Sequence, residues 1–221
     1  MTGMRQAAVF DFDGTVIRGD SVTALLFYAR KKQKIGLFTL MLAGVCGGLY
    51  RLHLMDAATA KRHSHAFLTR METGEREACL RDFARSLVGR AYPDALAEIT
   101  AHRDQGHLVV ICSASGQCYM RYAARLLQAD ALLCTPCGED GGFLGPNCRG
   151  EEKVRRMTAW LQENGLTQEA ILAAYGDTKG DAPLLRMSQM PVLVNPKRAL
   201  KKALPSARQV CWKAQEPPGS K

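Results

Sequence analysis

Asp11 and Asp13 stand two residues apart at the end of the apolar run AAVFDFDG. On extended chain, residues i and i+2 face one way, so the spacing predicts both carboxylates leaving the strand tip together, with Phe10 and Phe12 on the other side. Crowded carboxylates repel: either one keeps its proton to unusually high pH or a cation sits between them. The first suits a proton shuttle and the second phosphate chemistry. Gly14 follows and frees the backbone to turn or to approach a ligand closely. A second pair, Asp177 and Asp181, lies in the stretch GDTKGD after another apolar run. Clustered carboxylates in a cleft suit a hard cation such as Mg²⁺; either aspartate could equally cap a helix. Ser113 follows HLVVIC and precedes a helical pattern. A hydroxyl beside free helix N–H groups seats an anion, or simply caps the helix. Lys153 falls in the first turn of a helical segment, where a cation opposes the dipole and an anionic partner would account for it.

These residues share a cleft only if strands deliver them. Ala7 to Phe12 reads as a buried strand, followed by a helix from Ser21 whose Val22, Leu25, Leu26 and Ala29 form one apolar face. The pattern stays helical to about Val88. Asp94 to Gln105 is a predicted helix stopped by Gly106. His107 to Cys112 is a strand apolar enough to be covered on both faces. Further strands are expected at Ala131–Cys134, Ile171–Tyr175, Pro191–Val194 and Gln209–Trp212, with helices at Gly116–Gln128 and Glu151–Asn164 and a hairpin turn at Gly141-Gly142. Strands alternating with helices predict βαβ units and a mainly parallel sheet. Ligands of such sheets bind beyond the carboxyl ends of the strands, where Asp11, Ser113 and Asp177 fall. The polar end Gln215 to Lys221 reads as a loose tail.

The chain has 221 residues, 47% of them hydrophobic and 23% charged, which excludes wholesale disorder. Its +9 net charge favours anionic partners. Nucleic acid is the remote reading: aromatics make up only 7%, no nucleic-acid motif appears, and the basic runs Arg30–Lys34 and Lys197–Lys202 read as solvated faces. Met1 to Gln6 is unlike a secretory leader, so the eight cysteines are expected reduced and the chain cytoplasmic. Cys134, Cys137 and Cys148 could suggest zinc, but a second close pair and a nearby histidine are missing. Ile35 to Tyr50 carries no charge over 16 residues and is flanked by Arg30, Lys31, Lys32, Lys34 and Arg51. A spanning helix needs about 20 residues. The segment is therefore a buried or half-buried helix, or it lies on a bilayer surface with its basic flanks at the headgroups.

The chemistry-bearing stretches come in one order: DFDGT, a serine about 100 residues on, a lysine, then GDxxxD. That order resembles the haloacid dehalogenase superfamily of phosphohydrolases from Ala7 to about Leu200. DGTVIRGDS and NCRGEEK resemble its subfamily IB, which holds phosphoserine phosphatases and related phosphomonoesterases. The resemblance implies a Rossmann-like α/β core, residues 1–18 and 90–221, with an all-helical C1-type cap, residues 19–89, inserted after the first strand. It implies Mg²⁺-dependent phosphomonoester hydrolysis: Asp11 as nucleophile through an aspartyl-phosphate, Asp13 as acid and base, Ser113 and the Ala114 N–H on the phosphoryl oxygens, and Lys153 neutralising charge. Asp11, Asp177 and the Asp13 carbonyl would hold the metal, with Asp181 in support. A second alcohol could replace water and make the enzyme a phosphotransferase. Phosphoserine phosphatases typically have Glu where Asp20 stands, Ser-Gly-Gly where Ser113-Ala114-Ser115 stands, and Asn at Gly180. Asp20 is thus a substrate contact or a helix cap. The apolar run with basic flanks, and the Cys148 to Lys153 stretch, resemble instead the members that dephosphorylate phosphatidylglycerophosphate at a membrane. The substrate is accordingly a phosphorylated small molecule, or a phospholipid met through a peripheral contact of residues 35–50 at the inner face of a membrane.

Overall fold

The computed structural model describes residues 5–52 and 54–214. The expected tail, Gln215 to Lys221, lies outside them. The described elements are β1 (Ala7–Phe10), then α1 (Ser21–Lys31), α2 (Leu37–Arg51), α3 (Ala57–His65) and α4 (Thr73–Val88), then α5 (Pro93–Asp104), β2 (Leu108–Gly116), α6 (Gln117–Leu126) and β3 (Ala131–Thr135), and finally α7 (Glu151–Glu163), β4 (Ile171–Gly176), α8 (Ala182–Leu185), β5 (Met190–Val194), α9 (Arg198–Ala203) and β6 (Arg208–Val210). The six strands form one sheet in the order β3-β2-β1-β4-β5-β6, and each neighbouring pair is parallel. This is the mixed α/β fold read from the sequence, with a helical cap region after the first strand.

Every residue of β1 is buried because both sheet faces are covered. Ala8 and Phe10 join Ile111, Ala173 and Tyr175 in a core roofed by α5, α6 and the helices that follow β1. Ala7 and Val9 join Val110, Cys112 and Leu193 in a second core under α7, α8 and α9. Alternation along one short strand therefore serves both layers. The strand predicted to stop at Cys112 runs on to Gly116, since Ser113 still pairs with Cys134 and Gly116 with Thr135 across an irregularity. Ser113 thus sits inside the sheet, and the helix begins only at Gln117.

Two chain crossings connect the sheet to the helices after β1. They run side by side: the Arg18 N–H donates to the Arg90 carbonyl at 3.1 Å and the Tyr92 N–H to the Val16 carbonyl at 3.0 Å. The Asp20 carboxylate caps α1 by accepting from the Thr23 N–H at 2.7 Å. α2 carries the apolar run as a half-buried helix. It buries a narrow edge, Ala43 and Cys46, while Leu37, Phe38, Met41, Leu42 and Val45 lie exposed. Among the described residues no helix is long and apolar enough to cross a membrane.

Gly14 fixes how closely the β1 and β4 tips approach. Its φ is +80°, and a Cβ there would stand 2.4 Å from Asp177 Oδ2. Gly106 has a similar φ of +77°, but a Cβ there would meet nothing within 4 Å. Gly14→Ala should therefore cost more stability than Gly106→Ala, by about 1–3 kcal/mol in urea unfolding followed by circular dichroism. Equal losses would show that the Asp177 contact carries no weight.

Candidate active site

Asp11 is the first residue after β1, and its N–H donates to the Tyr175 carbonyl of β4 at 2.9 Å. Asp177 is the first residue after β4. The next turn, Lys179–Asp181, is a short 3₁₀ helix held by a capping box. In it, Asp181 Oδ2 accepts from the Thr178 N–H at 2.9 Å and the Thr178 hydroxyl at 2.8 Å. That leaves Oδ1 for Lys153, whose Nζ donates to it at 2.8 Å and to Asp11 Oδ1 at 2.6 Å. Thr15 donates to Asp11 Oδ2 at 3.2 Å. Lys153 is 1% exposed, although it sits in the first turn of α7. The two carboxylates account for a lysine placed against the helix dipole.

The electrostatics of this cluster are unbalanced. Burial, then the Asp181 and Asp177 charges, raise the Asp11 pKa well above its usual range, against Lys153. Burial opposes the Lys153 charge, yet Asp11 and Asp181 outweigh it and hold that pKa well above an ordinary lysine. Burial also opposes the Asp181 charge, but Lys153 and the Thr178 hydrogen bonds prevail and lower its pKa. Asp177 is pushed up to about 6, by burial and then Asp181, with exposed Lys197 only 3.7 Å from Oδ2. One buried ammonium against three carboxylates leaves two negative charges. One oxygen from each of Asp11, Asp177 and Asp181 lies within 4.8 Å of the others. Asp177 Oδ1 is buried without a hydrogen-bond partner. Converging oxygens, an orphaned acceptor and surplus negative charge all fit a divalent metal. Among the described residues no comparable group includes Cys134, Cys137 or Cys148.

Asp13 departs from the predicted pairing. β1 ends at Phe10, so strand alternation does not reach Asp13, and the two carboxylates have separate partners. Asp13 Oδ1 accepts from the Ser21 N–H at 2.8 Å, and Oδ2 from the Ser115 hydroxyl at 2.5 Å and the Ser21 hydroxyl at 3.0 Å. Burial first, then Asp20, push its pKa to about 6 against those hydrogen bonds. Asp13 borders a cavity of about 540 Å³ between the sheet tips and the helices after β1, lined also by Asp20, Leu26, Phe27, Gly44 and Arg149. Ala114 lines it too, as does Asp20, whose carboxylate caps α1. Ser113 is buried one residue further back, its Oγ accepting from the Ser115 N–H at 3.1 Å. All eight residues singled out by sequence thus lie at the strand tips or at the cavity beside them. Thr15, Thr178, Ser21, Ser115, Tyr119 and Arg149 were not singled out. Thr15, Thr178, Ser21, Ser115 and Arg149 lie inside the quoted stretches DFDGT, GDTKGD, DGTVIRGDS, Ser113-Ala114-Ser115 and NCRGEEK, whereas Tyr119 had no such signal.

Comparison with known proteins agrees with this geometry. Protein CicA of Caulobacter vibrioides is 35% identical over 188 residues, 81% of each chain. The histidinol-phosphatase of Neisseria meningitidis serogroup C is 26% identical, with 95% of this chain and 97% of that protein covered. A phosphoserine phosphatase, solved as a phospho-aspartyl intermediate analogue, shares the subfamily IB fold at a TM-score of 0.65 and 14% identity, with 94% of this chain and 93% of that one covered. The family model of haloacid dehalogenase-like hydrolases matches residues 8–186, which takes in β1, the helices after it and both acidic turns; the chain belongs to that family, as an enzyme of its phosphatase type.

Proposed function

We propose that this phosphatase hydrolyses the phosphomonoesters of small amino alcohols, using Mg²⁺ held by Asp11, Asp177 and the Asp13 carbonyl with Asp181 in support. The observation that carries the reading is the buried ion-pair cluster in which Lys153 Nζ lies 2.6 Å from Asp11 and 2.8 Å from Asp181, together with the partnerless Asp177 oxygen. Residues 19–89 act as the cap and close over residues 1–18 and 90–221, the chain passing between them at the paired Arg18 and Arg90.

Asp11 is the nucleophile, one carboxylate oxygen held by Lys153 and the other by Thr15. Its oxygen bonds to phosphorus as the bond from phosphorus to the alcohol oxygen breaks, and Asp13 gives a proton to that leaving oxygen. Water then attacks the aspartyl-phosphate, Asp13 takes the water's proton, and inorganic phosphate leaves. Ser113 and the Ala114 N–H receive the phosphoryl oxygens, and Lys153 offsets their charge. Mg²⁺, when bound, supplies the remaining positive charge that the buried carboxylates lack. Asp20 at the cavity wall suits a substrate ammonium, and the similarity to a histidinol-phosphatase over nearly the whole chain supports that substrate class.

The exposed apolar face of α2 favours a second reading, a phospholipid substrate met at a membrane surface. Phe38 is 79% and Met41 63% exposed, and the preceding segment carries Arg30, Lys31, Lys32 and Lys34. Such residues are worth about 1 kcal/mol each beside anionic headgroups.

Asp11→Asn should fold normally yet lose at least about 10³-fold in kcat, since an amide cannot replace the attacking carboxylate; near-wild-type turnover by the folded variant overturns the assignment. Chelation by EDTA should stop hydrolysis, Mg²⁺ should restore it, and Ca²⁺ should restore it poorly, because Ca²⁺ takes longer bonds and more ligands. Full activity in excess chelator would contradict the metal site. In a panel of histidinol phosphate, phosphoserine and phosphatidylglycerophosphate in anionic vesicles, the two amino-alcohol esters should give the higher kcat/KM. Preference for the lipid, with salt-sensitive vesicle binding lost in Phe38→Asp, would establish the second reading instead.

A further inference from the structure

We infer that Ser115, joined to Tyr119 and to Ser21 of the cap, is a positioning residue that aims the Asp13 carboxyl, so that the acid is set in place only when the cap is seated on the core. This rests on the reading of Asp13 as the proton donor.

The geometry is specific. Asp13 Oδ2 accepts from the Ser115 hydroxyl at 2.5 Å and from the Ser21 hydroxyl at 3.0 Å, and the two hydroxyls lie 2.7 Å apart. The Tyr119 hydroxyl stands 3.0 Å from Ser21 Oγ. Ser21 and Tyr119 are 0% exposed and Ser115 2%. The members come from separate parts of the chain: Ser21 opens α1, whereas Ser115 ends β2 and Tyr119 lies in α6. The Tyr119 ring is itself inserted among cap side chains, edge-on to Phe83 of α4 at 5.3 Å and stacked with His65 of α3 at 6.0 Å between centroids. Three of its four contacts, those made by Ser21, therefore cross the interface between the cap helices and the core. Lifting the cap would carry Ser21, Phe83 and His65 away together and leave Asp13 with Ser115 alone.

A carboxyl on one rotatable stem must reach the leaving oxygen at about 2.6–3.2 Å, and a misplacement of about 1 Å can cost about 10²-fold in rate. Holding both Asp13 oxygens from two directions removes that freedom. It also ties proton donation to the moment when water is excluded. A purely structural role, with Asp13 serving as a cap for α1, would weaken the fold or lower all activity evenly. A positioning role acts on leaving groups that need the proton.

Two aryl esters separate these roles. p-Nitrophenolate departs readily without protonation, and phenolate much less so. In Ser115→Ala, and in the same-shaped Tyr119→Phe, the ratio of kcat/KM for p-nitrophenyl phosphate to that for phenyl phosphate should rise about 10-fold or more. Asp13→Asn should raise it at least as far, and adding Ser115→Ala to Asp13→Asn should shift it less than about 2-fold, because the two changes remove one interaction. An unchanged ratio in Tyr119→Phe and in any folded Ser115→Ala protein overturns the inference, as does a Ser115→Ala effect that persists undiminished in the Asp13→Asn background. Hydrolysis of neither ester by the wild type would instead overturn the phosphatase reading and the inference with it.

Discussion

The ion pair of Lys153 with Asp11 and Asp181 governs the rest of the site. An ammonium 1% exposed and two carboxylates share a space with almost no water. Stripping one partner from such a pair typically costs about 3–5 kcal/mol, because the other charge is left buried alone. The lysine reaches this place only from the start of α7, the carboxylates only from the ends of β1 and β4. The sheet order that sets β4 beside β1 is thus an electrostatic requirement as much as a topological one. Asp177, the third carboxylate, exceeds what one lysine can balance, and that excess is why the cleft suits a cation.

The cleft divides its labour between two sides. Asp11, Asp177 and Asp181 gather charge on the sheet side. Asp13, Asp20 and Arg149 face a cavity with a largely apolar wall from α1 and α2. The acidic cluster and the apolar cavity wall are therefore built from different elements. Gly14 keeps the two sides close, since any side chain there would meet Asp177. Gly180 does similar service for Arg149, whose Nε would stand 2.8 Å from a Cβ at that position. The absence of a side chain at Gly180 is what lets an arginine cross the acidic turn toward the cavity.

Most of the sheet was legible because its strands are continuous apolar runs that end at polar, chemistry-bearing residues. HLVVIC and the AAY before Gly176 both supply the cores of observed strands. The end of β2 was not legible: Ser113 to Gly116 are small and polar, and only pairing with β3 keeps them in the sheet. Asp11, Asp177, Asp181 and Lys153 stood out through spacing and order. The Ser21–Ser115–Tyr119 network did not, because its members lie 94 and 98 residues apart and no local pattern links them. The apolar run of α2 left open how much of it the fold would cover. Apolar composition says how much surface seeks cover, and not whether the fold supplies it. Here it covers Ala43 and Cys46 and leaves Phe38 in solvent.

The central position of β1 has a consequence for how the molecule comes into being. Ala7 pairs with Leu108 on one side and Ile171 on the other, so the strand is synthesised first and its two neighbours emerge about 100 and about 160 residues later. At about 5–20 residues per second this leaves an apolar segment without its partners for several seconds or more on the ribosome. Contacts of such high sequence separation also slow spontaneous folding, since loop closure must precede any reward. The helices after β1 are the first part of the chain able to collapse locally. Nascent chains halted before β4 lack Asp177 and Asp181 and so cannot contain the acidic cluster.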